Sequence, residues 1–175
     1  METKIYAVID TNVIVSALFS ISGQSNPAAI IRKVVDGTIT PIFNEEILAE
    51  YKEVLSRDKF PFRKDDIDWI ISIFQEYGIA ISETKISEET FVDKKDVVFY
   101  EVALSKEDSF LVTGNLKHFP KKPFVVSPAE MIQIIMLLCS VAEKFLASRE
   151  QCTAEVFTET GDKTFTVVSS KDHRA

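Results

Sequence analysis

The sequence predicts an α/β fold in which helices cover both faces of a parallel sheet. Three observations carry this expectation. Short β-rich apolar runs alternate with helical patterns from residue 4 to residue 138, the order a parallel sheet with crossover helices requires. The 175-residue chain is 46% hydrophobic and 27% charged, with only 5 Gly and 6 Pro, so it can bury a core and is neither disordered nor of low complexity. The period then changes. Polar and apolar residues alternate over 155–168 around Gly161-Asp162, a hairpin signal. Residues 1–148 are read as one α/β domain and 149–175 as a C-terminal extension, a hairpin with a flexible end.

Residues 4–9 read as a buried strand closed by Asp10, and 11–19 continue with helical spacing. A loop from Gly23 to Pro27 precedes a helix over 28–35, opened by Asn26-Pro27 and ended by Gly37. Residues 38–43 form a second strand, and Asn44 caps a helix to about Ser56. A basic, proline-broken loop, SRDKFPFRK, follows. Over 65–77 a helix presents Ile67, Ile70, Ile71 and Phe74 on one face, and Gly78 stops it. Residues 79–81 read as a third strand, 83–95 as an acidic connection, 96–104 as a compact helix, and 109–113 and 124–126 as two further strands. Ser127-Pro128-Ala129-Glu130 fits a capping box with Pro at the first helical position, opening a helix to about Ser148. Its apolar run, 134–142, falls far short of the roughly 20 residues of a membrane span and reads as a buried helix. Phe99, Tyr100, Phe110 and Trp69 read as core.

Composition also excludes functions. Acidic residues outnumber basic ones 27 to 20, a net charge of −7, so this is no generic polyanion binder and any nucleic-acid contact must be local. Cys139 and Cys152 form no CxxC and sit with no histidine cluster, which speaks against a disulfide framework or a zinc site and for a reducing cytoplasm. The apolar stretch of the N-terminus stops at Asp10, too soon for a signal peptide. The expectation is a cytoplasmic protein with no membrane partner.

In open parallel sheets, ligands bind outside the carboxyl ends of the strands. Asp10, after IYAVI, and Asn115, after FLVTG, fall at two such ends. Asp10 before Thr11-Asn12 can equally cap a helix, and the residues alone leave both roles open. Glu50 lies roughly 100° from the centre of its helix's apolar face, at the margin where a carboxylate can reach a cleft, whereas Glu46 and Glu53 lie further round. Taken singly, it reads as an exposed helix glutamate. Asp96 follows Asp93 by three, as a cap and a first-turn acid do.

These residues acquire a shared meaning through VIDTNVIVSALFS, EEILAEYKEVLSRDKF, DKKDVVFYEVAL, LVTGNLKHFP and VVSPAEMI. In order and separation these segments resemble the PIN-domain family, in particular its VapC-like subgroup, the toxin components of toxin–antitoxin systems. The resemblance covers residues 4 to about 138. It implies a three-layer α/β/α PIN-like fold with a central parallel sheet of about five strands, a nuclease domain over 1–148, and a cleft of acids that binds Mg²⁺ or Mn²⁺ and cuts RNA. By motif position, Asp10, Glu50 and Asp96 are the expected metal ligands, and with Asn115 the expected catalytic set. Asn115 stands where many PIN nucleases carry a fourth aspartate, and the VapC-like subgroup often has TGN there instead. An antitoxin protein and a second copy of the chain, as a dimer, are the expected partners beside RNA.

The chemistry suits the residues. Mg²⁺ takes hard oxygen ligands, keeps waters and bridges to phosphate, and a bound metal lowers the pKa of its water, so no histidine is required. Thr113 offers a hydroxyl beside the cleft, and Lys117, His118 and Arg57 are the expected substrate contacts, from two lysine- and arginine-rich loops. Phe119 could stack on a base but reads better as core. Two other readings stay open. A haloacid-dehalogenase-type phosphatase also has an aspartate after its first strand, but it needs a second one where this chain has Asn12. A PIN-like module that binds RNA or protein without cutting is compatible with Asn115.

Overall fold

The computed structural model describes residues 4–20, 23–148, 152–158 and 161–167, with 145–148 and the last two segments described by backbone. Strand β1 (Ile5–Ile9) leads into α1 (Thr11–Phe19) and α2 (Asn26–Val35), then β2 (Ile39–Phe43), α3 (Glu45–Leu55), α4 (Lys64–Tyr77) and β3 (Ile79–Ala80). After a connection come α5 (Asp96–Ser105), β4 (Ser109–Val112), a 3₁₀ turn (Leu116–His118), β5 (Val125–Val126) and α6 (Pro128–Ser148). The five strands form one parallel sheet in the order β3-β2-β1-β4-β5. The expected α/β fold with a central parallel sheet is borne out.

Local chemistry places these elements. Asn44 accepts from the Ile47 amide at 2.9 Å and starts α3. In the capping box, Glu130 Oε2 accepts from the Ser127 amide at 2.8 Å, and Ser127 Oγ accepts from the Glu130 amide at 3.2 Å. Ser25, one residue before the expected start, caps α2 through the Ala28 amide at 3.3 Å. Gly78 follows α4 as its C-cap, at a position that only glycine fits, since a Cβ there would stand 2.4 Å from the Phe74 carbonyl oxygen.

The sheet interior is apolar. Ala7, Val8, Ile9, Phe110, Leu111, Val112, Ile39 and Ile42 are fully buried between the helical layers. Because β1 is the central strand, flanked by β2 and β4, the residue that follows it emerges in the middle of the sheet's carboxyl edge. Phe99, Tyr100, Phe110 and Phe119 are core, as expected.

Two expectations are corrected. Trp69 is 53% exposed, because on α4 it lies roughly opposite the stripe of Ile67, Ile70, Ile71 and Phe74. The apolar run of α6 is buried on one stripe only: Ile134, Ile135, Leu138 and Val141 face the core, while Met136 and Leu137 are exposed. Among the described residues no helix is long and apolar enough to cross a membrane.

The C-terminal hairpin is present: β6 (Cys152–Thr158) pairs antiparallel with β7 (Gly161–Val167), with Thr158 opposite Gly161. Gly161 and Asp162 therefore begin β7, and residues 159–160 lie outside the described residues. The pair packs on α6. At Gly161 a Cβ would meet Pro123 Cγ at 2.9 Å, a close approach that a side chain would obstruct. The expected flexible end after the hairpin also lies outside the described residues.

Candidate functional site

Register builds the site. Ile9 pairs with Val112, and the ladder continues through the Asp10 amide to the Val112 carbonyl at 2.9 Å. Asp10 and Thr113 thus leave adjacent strands side by side at the carboxyl edge. Thr113 Oγ1 donates to Asp10 Oδ2 at 2.6 Å, and both residues are buried. Asp10 also caps α1, its Oδ1 accepting from the Asn12 amide at 3.3 Å. The cap role is therefore met, and the same carboxylate stands at the strand end where the ligand role is expected.

Asn12 ties the two strand ends together. Its Nδ2 donates to Asp10 Oδ2 at 2.6 Å, and its Oδ1 accepts from the Gly114 amide at 2.8 Å. A Cβ on Gly114 would lie 3.0 Å from that Oδ1, so a small residue suits this approach. Asn12 is a site residue that sequence reasoning missed, and only its proximity to Asp10 hinted at it.

Glu50 arrives on α3. Thr11 Oγ1 donates to Glu50 Oε1 at 2.8 Å, so the residue after Asp10 holds the second carboxylate. Next to Glu50, the fully buried Tyr51 donates its hydroxyl to the Ile9 carbonyl and pins α3 to β1. Glu50 is half-buried, whereas Glu46 and Glu53 are exposed, in keeping with the helical wheel. Together with Ala49 they line one wall of a cleft of about 340 Å³, faced by Lys94, Lys95 and Val98 at the start of α5.

Asp96 is the first residue of α5, and its Oδ2 meets His118 Nδ1 at 3.1 Å. His118 Nε2 in turn meets Asn115 Nδ2 at 3.0 Å, and the Asn115 amide donates to Thr113 Oγ1 at 3.0 Å. Asp93, the expected cap, accepts from the Lys95 amide at 3.0 Å just before the helix.

The electrostatics link the acids. Burial pushes Asp10 above its ordinary range and the charge of Asp96 adds to this, against the bonds from Thr113 and Asn12. Burial also raises Glu50, which feels Asp10; the Thr11 bond and Lys95 oppose this. Asp96 is raised by burial and by the charges of Asp93 and Glu50, against His118. Each carboxylate therefore carries the field of another, which is the strain a cation relieves.

As they stand, no group of three or more His, Cys, Asp or Glu among the described residues is arranged to hold a metal ion. The carboxylates bond instead to Thr11, Asn12, Thr113 and His118. The donor chemistry nevertheless fits a hard divalent cation: the acids supply oxygen alone, and each carboxylate has about four lone-pair sites, more than these bonds use.

The expected substrate contacts divide. Lys117 lies in the turn beside Asn115. Arg57 is bonded to Glu53 at 2.8 Å, a side chain of the cleft wall. Of the remaining basic loop residues, Lys122 pairs with Glu89 at 2.8 Å and Arg63 with Asp66 at 2.9 Å, so these loops hold less free positive charge than their sequence suggests.

The PIN domain family model matches residues 6–117. Among solved structures, the crystal structure of VapBC2 from Rickettsia felis bound to a DNA fragment from their promoter is similar, at 18% identity and a TM-score of 0.46, over 70% of this chain and 97% of that chain. No curated protein sequence matches significantly.

Proposed function

The chain belongs to the PIN domain family, and on that premise we propose that it is a hydrolase, a Mg²⁺- or Mn²⁺-dependent endoribonuclease that cuts RNA phosphodiester bonds. The observation that carries this reading is the gathering of three carboxylates from separate elements at one strand edge: Asp10 held by Thr113 and Asn12, Glu50 held by Thr11 beside it, and Asp96 linked back to Thr113 through His118 and Asn115.

In this reading Asp10, Glu50 and Asp96 hold the cation, and Asn115 completes the catalytic set. When bound, such a cation offsets the charge of the carboxylates and the phosphodiester and lowers the pKa of a coordinated water. The protein's own part is positioning. Thr113 and Asn12 fix Asp10, and Thr11 fixes Glu50. Tyr51 prevents α3 from shifting along β1. Lys95 tempers the charge of Glu50 at the cleft, and in this reading Lys117, and Arg57 on exchanging its pairing with Glu53, contact phosphates on either side of the cut.

The motif order shared with VapC-like proteins supports a toxin held in check by an antitoxin protein, acting in the cytoplasm as a homodimer. Residues 1–148 are the nuclease unit, and 149–175 serve contact rather than catalysis. The test is cleavage of single-stranded RNA with Mg²⁺ or Mn²⁺ against the same reaction in EDTA, with Asp10→Asn alongside. Metal-dependent cleavage lost in the variant supports the reading. Cleavage surviving chelation, or RNA binding without cleavage, rejects it, and the latter result marks a binding module.

A further inference from the structure

We propose that His118 is a positioning residue for Asp96, held by Asn115, so that residues 113–118 act as a polar strap that fixes the Asp96 carboxylate relative to Asp10. The inference rests on the reading of Asp96 as a cation ligand and adds to it the group that aims that ligand.

The strap is continuous. Asp10 Oδ2 accepts from Thr113 Oγ1 at 2.6 Å, Thr113 Oγ1 accepts from the Asn115 amide at 3.0 Å, Asn115 Nδ2 reaches His118 Nε2 at 3.0 Å, and His118 Nδ1 reaches Asp96 Oδ2 at 3.1 Å. Its backbone is anchored at both ends. Thr113 continues the ladder to β5 through the Val126 carbonyl at 2.9 Å, and Phe119, directly after His118, is buried.

The chemistry of the partners sets the direction of each bond. The nitrogen of an asparagine side chain only donates, so His118 Nε2 must accept from it. The neutral ring then carries its proton on Nδ1, aimed at a carboxylate oxygen, which only accepts when ionised. Both ring nitrogens are thereby engaged, so His118 has no free nitrogen for the phosphate contact that its place in a basic loop suggests. Among the described residues, His118 Nδ1 is the hydrogen-bond partner of the Asp96 carboxylate. A carboxylate held through one oxygen by an outer hydrogen bond presents the other to a cation in a fixed direction. Loss of such outer partners typically weakens metal binding about 10–100-fold.

The test uses full-length protein: wild type, His118→Ala, His118→Asn, His118→Gln, Asn115→Ala and Asp96→Ala. The first readout needs no metal. Long-range ¹H–¹⁵N spectra of the metal-free protein, above the imidazole range, report the ring tautomer, and His118 is told from His173 by its loss in His118→Ala. Wild type should show the Nδ1–H tautomer; Asp96→Ala, which removes the acceptor for that proton, should lose the preference, and Asn115→Ala should weaken it.

The second readout is Mn²⁺ affinity by calorimetry. Asp96→Ala and His118→Ala should each bind about tenfold or more weakly. His118→Asn, whose amide nitrogen falls near the Nδ1 position, should recover most of the loss. His118→Gln, whose amide falls near Nε2, should not. An Nε2–H tautomer in wild type, equal rescue by both amides, or unweakened binding in His118→Ala while Asp96→Ala is weakened overturns the positioning role and leaves the cation site standing. Unweakened binding in Asp96→Ala overturns the cation site at Asp96 and this inference with it.

Discussion

Replacing Thr113 with valine removes one hydroxyl from the centre of the site and changes little else. The side chain is fully buried, and valine keeps its shape, so no cavity opens. The lost hydroxyl donates to the Asp10 carboxylate at 2.6 Å and accepts from the Asn115 amide at 3.0 Å. A bond to a charged group contributes about 1.5–3 kcal/mol, and an ordinary one in a half-exposed place about 0.5–1, for an expected loss of about 2–4 kcal/mol at pH 7. For a chain of this size that is a fall in Tm of roughly 5–15 °C. The sign with pH also follows. The Thr113 bond lowers the pKa of Asp10 in the folded state, so wild type has the lower folded pKa and the variant the higher. The stabilisation therefore belongs to ionised Asp10, is complete above the variant's pKa, and is lost as pH falls through Asp10's folded range, above 3.8. Urea denaturation in EDTA at pH 7 and at about pH 4 checks both, with Thr113→Ser, which keeps the hydroxyl, losing only about 1 kcal/mol for its methyl group. A loss below about 0.5 kcal/mol at pH 7, or one that grows toward acid, refutes the reasoning.

Asp10→Asn should leave the metal-free protein within about 1 kcal/mol of wild type by thermal unfolding in EDTA, since relief of a buried charge offsets weakened bonds and asparagine still caps. The sign follows from the raised pKa: the wild-type penalty is absent below 3.8 and complete above the folded pKa, so any gain appears at neutral pH and vanishes in acid. A loss above about 3 kcal/mol would make Asp10 a structural residue first. Tyr51→Phe should cost about 1–2 kcal/mol in urea, because the Ile9 carbonyl loses its buried donor; an unchanged midpoint would deny that tether. Deleting residues 149–175 should preserve metal-dependent RNA cleavage, and loss of cleavage in a truncation that still melts cooperatively would show that the extension shapes the site.

What was legible in the sequence was local. Asn44 and the Ser127–Glu130 box announce helix starts through bonds spanning three residues, Gly78 marks a helix end where a Cβ has no room, and the strands follow from short apolar runs. Trp69 shows where residue type misled: tryptophan suggests core, but its own helix's period turns it outward. The candidate acids were picked out by motif; the helical wheel put Glu50 at the margin of its helix's apolar face, where taken singly it reads as exposed, and the fold half-buries it. The groups that fix these acids were not legible. Asn12 bonds Gly114, and Thr11 bonds Glu50, across many intervening residues, pairings that exist only after β1, β4 and α3 have assembled. The same holds for the charge of the basic loop, because Glu89, the acid that pairs with Lys122, comes from the connection before α5.

The central claim is that Asp10, Glu50 and Asp96 form one cation site at the carboxyl edge of the sheet. Paramagnetic broadening of backbone amide signals by substoichiometric Mn²⁺ in the full-length protein tests it most directly. The account predicts broadening centred on residues 10–12, 50, 96 and 113–115, and its disappearance in Asp10→Asn. Broadening centred elsewhere, for example on the exposed acids of α4 at Asp65 and Asp68, or a pattern unchanged in Asp10→Asn, would contradict it.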